Sequence, residues 1–279
     1  MAYKNILLPL FNYPVRTPDS VISAALEIAK MFGSSVTAAI CKANLPNASE
    51  LSAVILTDVS AVIAASKHDS DAAERELEDA LSSGSKKLNL QIRSLTFPGF
   101  IDAQSSGLMG HARLSDLIFV PTSRDRAFHN LTHDLIFSSG RPVLVLPANV
   151  ASELSLAVVV VAWDGSRVAA RAISDALPFL KFAKTIRLVE ISGDKPLNGA
   201  SDITALRDQL MSHDVEAMTD VIASEGKPVG DVLTSYCSRH HADLLVMGAY
   251  GHSRFRDFIL GGATKQFVAN TTLPVLLSH

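Results

Sequence analysis

Four glycines near the end of the chain, Gly248, Gly251, Gly261 and Gly262, stand where a strand would give way to a helix. The apolar run Leu244-Leu245-Val246-Met247 precedes them, and Ala263 and Thr264 open a stretch whose periodicity turns helical. Glycines let a backbone come close to an anion, and the first N–H groups of a helix lack intrahelical acceptors, so the combination makes a candidate phosphate cradle. The spacing, Gly-x2-Gly-x9-Gly, is neither the dinucleotide fingerprint nor a P-loop, which requires Gly-x4-Gly-Lys followed by Ser or Thr. The same glycines would also suit a turn that packs tightly on a sheet. Arg254, Arg256 and Lys265 would screen phosphates in the first case and form a solvated rim in the second.

Other chemically capable residues give weaker signals. His129 and His133 have the i, i+4 spacing that sets two imidazoles on one helical face. The Glu of His-Glu-x2-His is missing and no third ligand stands out, so no metal site is assigned. His240 and His241 fall where a helix would end, and a cationic side chain there suits the helix dipole. Asp164-Gly165-Ser166 follows an apolar run, but Ser166 lacks the Gly-x-Ser-x-Gly elbow of a nucleophile and reads as the N-cap of the next helix. No catalytic residue is assigned. Cys41 and Cys237 lie far apart with no neighbouring Cys, which speaks against a zinc or redox pair and fits a reducing cytoplasm.

Composition narrows the classes further. The chain has 279 residues, 48% hydrophobic and only 19% charged, enough for about two domains with sizeable cores. A net charge of -3 and a pI near 6.3 give neither a nucleic-acid footprint nor a polybasic membrane patch. The apolar run Leu156 to Ala162 has seven residues against the roughly 20 needed to span a bilayer, and reads as a buried strand. The opening MAYKNILLPL passes straight into a strand pattern without signal-peptide architecture.

The elements that would position these residues repeat. Ser115 to Val120 matches Ala242 to Met247 at an offset of 127, and Arg141 to Leu146 matches Leu273 to Ser278 at 132. Two related halves follow, and the five residues missing from the first fall in its counterpart of the glycine loop. In the first half, strands are expected at Asn5 to Leu10, Ser34 to Cys41, Leu90 to Phe97, Asp116 to Val120 and Pro142 to Leu146. Helices are expected at Asp19 to Phe32, Leu51 to Asn89 with a break around Lys67 to Ser70, Phe100 to Arg113 and His129 to Ser138. The second half repeats the order, with strands at Leu156 to Ala162, Thr185 to Ile191, Val215 to Ala223, Leu244 to Met247 and Pro274 to Leu277. Its helices are Ser166 to Phe182, Asp202 to Ser212, Val229 to His240 and the one that follows the glycine loop. Apolar strands alternating with helices imply an α/β class in which each half is a doubly wound five-stranded parallel sheet. Ligands in such sheets sit beyond the carboxyl ends of the strands, where Asp164 and Gly248 both fall.

The glycine loop in this setting resembles that of the universal stress protein family, and each half looks like one family domain. The family signature is Gly-x2-Gly-x9-Gly followed by Ser or Thr; here Gly262 follows Gly261 and the nearest hydroxyl is on Thr264. The resemblance implies two tandem adenine nucleotide alpha hydrolase-like domains, 1–150 and 151–279, packed as a pseudo-dimer through their closing strands. It implies further that Ala162, Trp163 and Asp164, Val189, and Met247, Gly248, Gly251, Gly261, Gly262, Ala263 and Thr264 surround ATP or another adenine nucleotide, with Mg2+ as a possible companion. Asp164 would approach ribose or phosphates and Val189 the adenine; Trp163, larger than the small residue usual there, would stack on the base or fill the pocket. In the first half Pro121 stands at the place of Gly248 and His129-Asn130-Leu131-Thr132 at that of Gly261 to Thr264. A proline has no N–H and the side chains crowd the backbone, so phosphate binding is expected to fail there.

Three functions are consistent with these features. The first is a cytoplasmic stress-response regulator of the universal stress protein type that holds an adenine nucleotide in its second half, is not an enzyme, and meets protein partners or a second copy of itself. The second is a nucleotide-free interaction module, favoured by Gly262 in the Ser/Thr place. The third is a slow ATP hydrolase, for which no general base or nucleophile constellation is evident.

Overall fold

The computed structural model describes residues 3–42, 57–98, 107–123, 125–151, 155–192, 202–250 and 262–279. The first half runs β1 (Asn5–Phe11), α1 (Asp19–Phe32), β2 (Ser35–Lys42), α2 (Thr57–Leu88), β3 (Ile92–Pro98), α3 (Leu108–Leu114), β4 (Leu117–Pro121), α4 (Arg126–Ser138) and β5 (Val143–Leu146). The second repeats it as β6 (Val158–Trp163), α5 (Arg167–Leu180), β7 (Thr185–Ser192), α6 (Ile203–Met211), β8 (Met218–Ala223), α7 (Val229–Arg239), β9 (Leu244–Gly248), α8 (Gly262–Ala269) and β10 (Val275–Ser278). Two differences from the expected elements have local causes. α2 passes through Lys67 to Ser70 without a break, because Ser70 is buried and takes the Asn12 amide on both its Oγ (2.8 Å) and its carbonyl (3.2 Å), a tertiary contact that overrides weak propensity. β8 begins at Met218 because Val215 closes the turn after α6, its N–H bonded to Leu210 O at 3.1 Å with Asp214 at φ 62°. The first half of the helix expected at Phe100 to Arg113, residues 100–106, lies outside the described residues, and the remainder forms α3.

All ten strands form one sheet in the order β3-β2-β1-β4-β5-β10-β9-β6-β7-β8. Every adjacent pair is parallel except β5 and β10, which run antiparallel with Val145 opposite Val275, Leu144 opposite Leu276 and Val143 opposite Leu277. The chain is therefore two tandem doubly wound five-stranded parallel sheets packed edge to edge as a pseudo-dimer. The alternation of a strand sends Leu144 and Leu276 to one face and Val143, Val145, Val275 and Leu277 to the other. Each face carries a single apolar cluster that runs through both halves, one under α1, α2, α5 and α6, the other under α3, α4, α7 and α8. An edge strand that would have invited aggregation in either half alone is covered by its counterpart.

Helix boundaries follow capping chemistry. Ser166 caps α5, its Oγ accepting from Ala169 N at 3.2 Å, and Asp202 caps α6 by accepting from Thr204 N and Ala205 N. α1 ends at Gly33, whose φ of 62° is the left-handed conformation glycine adopts without strain. His240 is the C-cap of α7, the helix-end position read for it from sequence.

Candidate functional site

In the second half the chain leaves β6 for β7 and β8 on one side and returns with β9 on the other, so the switch point lies between β6 and β9. A ligand site is expected above the carboxyl ends of those two strands. Val161 pairs with Val246 there, and Ala162 and Met247 follow directly. Ala162 also pairs with Val189 on β7, and all three side chains join the cluster under α7 and α8. The family resemblance named these three residues as nucleotide contacts, and the strand register brings them together on one face.

Gly248 ends β9 and has a packing reason of its own. A Cβ there would lie 2.6 Å from Ala169 N and 2.7 Å from the Val168 carbonyl carbon, so the first turn of α5 rests directly on this glycine. Gly262, which opens α8, is exposed, and a Cβ on it would meet nothing within 4 Å. Among the described residues, packing does not demand a glycine at 262. Gly251 and Gly261, with Arg254 and Arg256, lie outside the described residues; Lys265 is exposed on α8 and Ala263 packs beneath it.

Two side chains do something other than the sequence suggested. Thr264 is buried, and its Oγ1 accepts from Tyr250 N at 3.3 Å, so the hydroxyl nearest Gly261 ties the two flanks of the glycine loop together. Trp163 points to the opposite sheet face from Ala162, as strand alternation requires. It lines a groove of about 480 Å3 between α5 and α6, with Ile173, Leu177, Leu206, Leu210 and His213, and its buried indole N–H has no partner among the described residues. Asp164 follows it and shapes the turn into α5, its Oδ1 accepting from Ser166 N at 3.0 Å.

The corresponding place in the first half is filled. Ile6 pairs with Leu117 as Val159 pairs with Leu244, so Phe11 stands at the position of Asp164 and Leu10 at that of Trp163. Phe11 is 1% exposed and Phe128, from α4, 5%, with ring centroids 4.1 Å apart. Two phenyl rings thus close the end of β1, where the second half carries a carboxylate. Pro121 ends β4, one residue past the expected strand end, as its counterpart Gly248 ends β9; His129 Nε2 meets the Ser123 carbonyl, and His133 packs on Phe137 at 4.4 Å.

Among the described residues no group of three or more His, Cys, Asp or Glu is placed to hold a metal ion. Burial pushes both the Cys41 and Cys237 thiols up to about 12, which makes them inert rather than nucleophilic. Arg187, Asp220 and Tyr236 form an ionic network, with Arg187 Nη1 to Asp220 Oδ2 at 3.0 Å and the Tyr236 hydroxyl donating to the same oxygen. It lies toward the start of β7 and β8, away from the carboxyl ends. Sequence reasoning missed Tyr250, a buried non-glycine at φ 59° that stacks on Phe137 of the first half with centroids 4.7 Å apart. An aromatic inside a glycine-rich turn was the available signal.

Residues 157–279 fit the model of the universal stress protein family. These residues belong to the universal stress protein family. A 46-residue stretch is 41% identical to universal stress protein Slr1230 of Synechocystis sp., and it spans 16% of this chain and only 16% of that relative's length. The fold of a universal stress protein from Archaeoglobus fulgidus DSM 4304 superposes with a TM-score of 0.68 at 14% identity, covering 98% of this chain and 97% of that one. A structure from Pseudomonas aeruginosa UCBPP-PA14 gives 0.63 at 14% identity, with 99% and 93% coverage. At such identities the likeness is one of fold, and it extends across both halves, so the first half has the universal stress protein fold as well. Among the described residues no helix is long and apolar enough to cross a membrane.

Proposed function

We propose that the chain is a regulatory universal stress protein of the cytoplasm that binds one adenine nucleotide, ATP in the first instance, in its second half and does not turn it over substantially. On this reading residues 1–150 and 151–279 are the two domains, the first without a ligand. The observation that carries the proposal is the opening of α8 at an exposed Gly262, on a helix start tied to the chain leaving β9 by the Tyr250–Thr264 hydrogen bond, since the first N–H groups of a helix suit an anion. Ala162, Val189 and Met247 would form the apolar floor, Asp164 would approach the ribose or the phosphates, and Mg2+ would accompany the phosphates if a divalent ion is bound. No base oriented toward an attacking water is evident among the described residues, and cradling alone leaves most of the barrier to hydrolysis in place.

A second reading, a nucleotide-free interaction module, draws on Thr264. Its hydroxyl is already engaged by Tyr250 N, and Gly262 brings none. Calorimetric titration of the full chain with ATP and magnesium separates the two. One equivalent per chain is expected, and Gly262→Val should abolish it, since a Cβ there meets nothing within 4 Å among the described residues and the branched side chain would crowd the ligand. Absence of binding to the wild-type chain would favour the second reading. Phosphate release at saturating ATP should stay well below roughly 1 per second, the low end of ordinary enzymes.

A further inference from the structure

We infer that Phe137 of the first half and Tyr250 of the second form a clamp across the seam that positions the start of the glycine loop, so that the first half is a working part of the second half's site. The consequence for ligand binding rests on the nucleotide reading above; the clamp itself does not.

Three contacts converge on Phe137. Tyr250 stacks on it at 30° between ring planes, His279 packs on it at 4.4 Å, and His133, one turn earlier on α4, packs on both Phe137 and Tyr250. Through these rings Phe137 reaches the backbone at the loop's start. The Tyr250 N–H donates to Thr264 Oγ1, the Ala249 N–H donates to Ser278 O at 2.8 Å, and His279 Nδ1 meets Ala249 O at 3.1 Å. Tyr250 holds φ 59°, which is uncommon for a bulky aromatic residue. Its ring is buried, which also pushes the phenol up to about 12.

The asymmetry of the seam argues that this is more than core packing. A twofold-related clamp would need aromatics at the counterparts of Tyr250 and Phe137, which by the repeat offsets of 127 and 132 are Ser123 and Ala269. Neither can stack. The clamp exists only on the side that carries the glycine loop, and the helix that supplies it, α4, is the first-half counterpart of the loop's own helix α8.

The test uses the full chain with Phe137→Ala and Phe137→Leu, the second keeping apolar bulk but not the ring, and with Phe137→Tyr as the conservative control. Amide hydrogen exchange at Tyr250 and Ala249 should quicken at least tenfold in the Ala and Leu variants and stay near wild type in the Tyr variant, while amides of β1 and β6 keep their protection. Unchanged exchange at Tyr250 in Phe137→Ala, or a uniform rise across the whole sheet, would overturn the clamp. For the site, ATP affinity should fall about tenfold in Phe137→Ala and recover in Phe137→Tyr; equal affinity in all variants would overturn the positioning role. If the wild-type chain binds no ATP, the exchange result still decides the clamp and only the nucleotide reading falls.

Discussion

Gly248 and Gly262 lack a side chain for different reasons, and this gives the residue scale its sharpest prediction. At Gly248 a methyl group would press on the backbone of Val168 and Ala169, so Gly248→Ala should lose about 1–3 kcal/mol, the usual penalty of overpacking. Gly262→Ala should change stability by no more than about 1 kcal/mol, since its Cβ would meet open space and replacing glycine in a helix is at worst neutral. Denaturant midpoints of the two variants make the comparison, and equal losses would contradict the packing described. His240 supplies a pH effect. Burial and then the nearby Arg187 charge hold its imidazole below the ordinary histidine range, so the unfolded chain takes up the proton more readily than the folded one. This group therefore leaves stability intact above about pH 6.5 and withdraws some as the pH falls below it. The slope of stability between about pH 5 and 7 should be shallower in His240→Asn, as read from urea titrations; an identical slope would remove His240 as a cause. The strand-end positions of Asp164 and Gly248 and the capping role of Ser166 were legible from type and spacing. The partners of Thr264 and the Phe11–Phe128 pair were not, because they depend on side chains brought together from distant elements.

The closing strands decide most at the scale of elements. β5 and β10 are interior strands, each paired on both sides, so every N–H along Val275 to Leu277 faces either β9 or β5. Val275→Pro should therefore break one ladder bond whichever way that N–H points, leaving a buried carbonyl unpaired at a loss of about 1–3 kcal/mol. Thermal unfolding should fall accordingly and aggregation should rise on heating; an unchanged midpoint would mean that the seam contributes little. Strands and helices could be located from periodicity because apolar runs such as Leu117 to Val120 and Leu244 to Met247 are long relative to their surroundings. α2 shows where that reasoning fails, since its polar middle is held helical by Asn12, 58 residues away from Ser70. The side to which Trp163 points was also open to simple reasoning. Counting by twos from Val161 places it opposite Ala162, toward α5 and α6 rather than over the apolar floor.

For the whole molecule, the repeat of two sequence blocks foretold two like halves, and their short apolar closing strands foretold how they meet. The antiparallel seam and the two apolar clusters that cross it make one body of the chain, braced on one face by Tyr3, Phe32 and Phe179 and on the other by Phe137 and Tyr250. Small-angle scattering should accordingly fit a single compact particle, and a profile of two independently tumbling lobes would contradict it. The halves have diverged at their strand ends, where Phe11 and Phe128 close the first and Asp164 stands at the second. The central proposal, one ligand site per chain, draws on that divergence. Native mass spectrometry of the full chain with ATP and magnesium counts it directly: each chain should carry one nucleotide at saturation, and two nucleotides per chain, or none, would contradict the account.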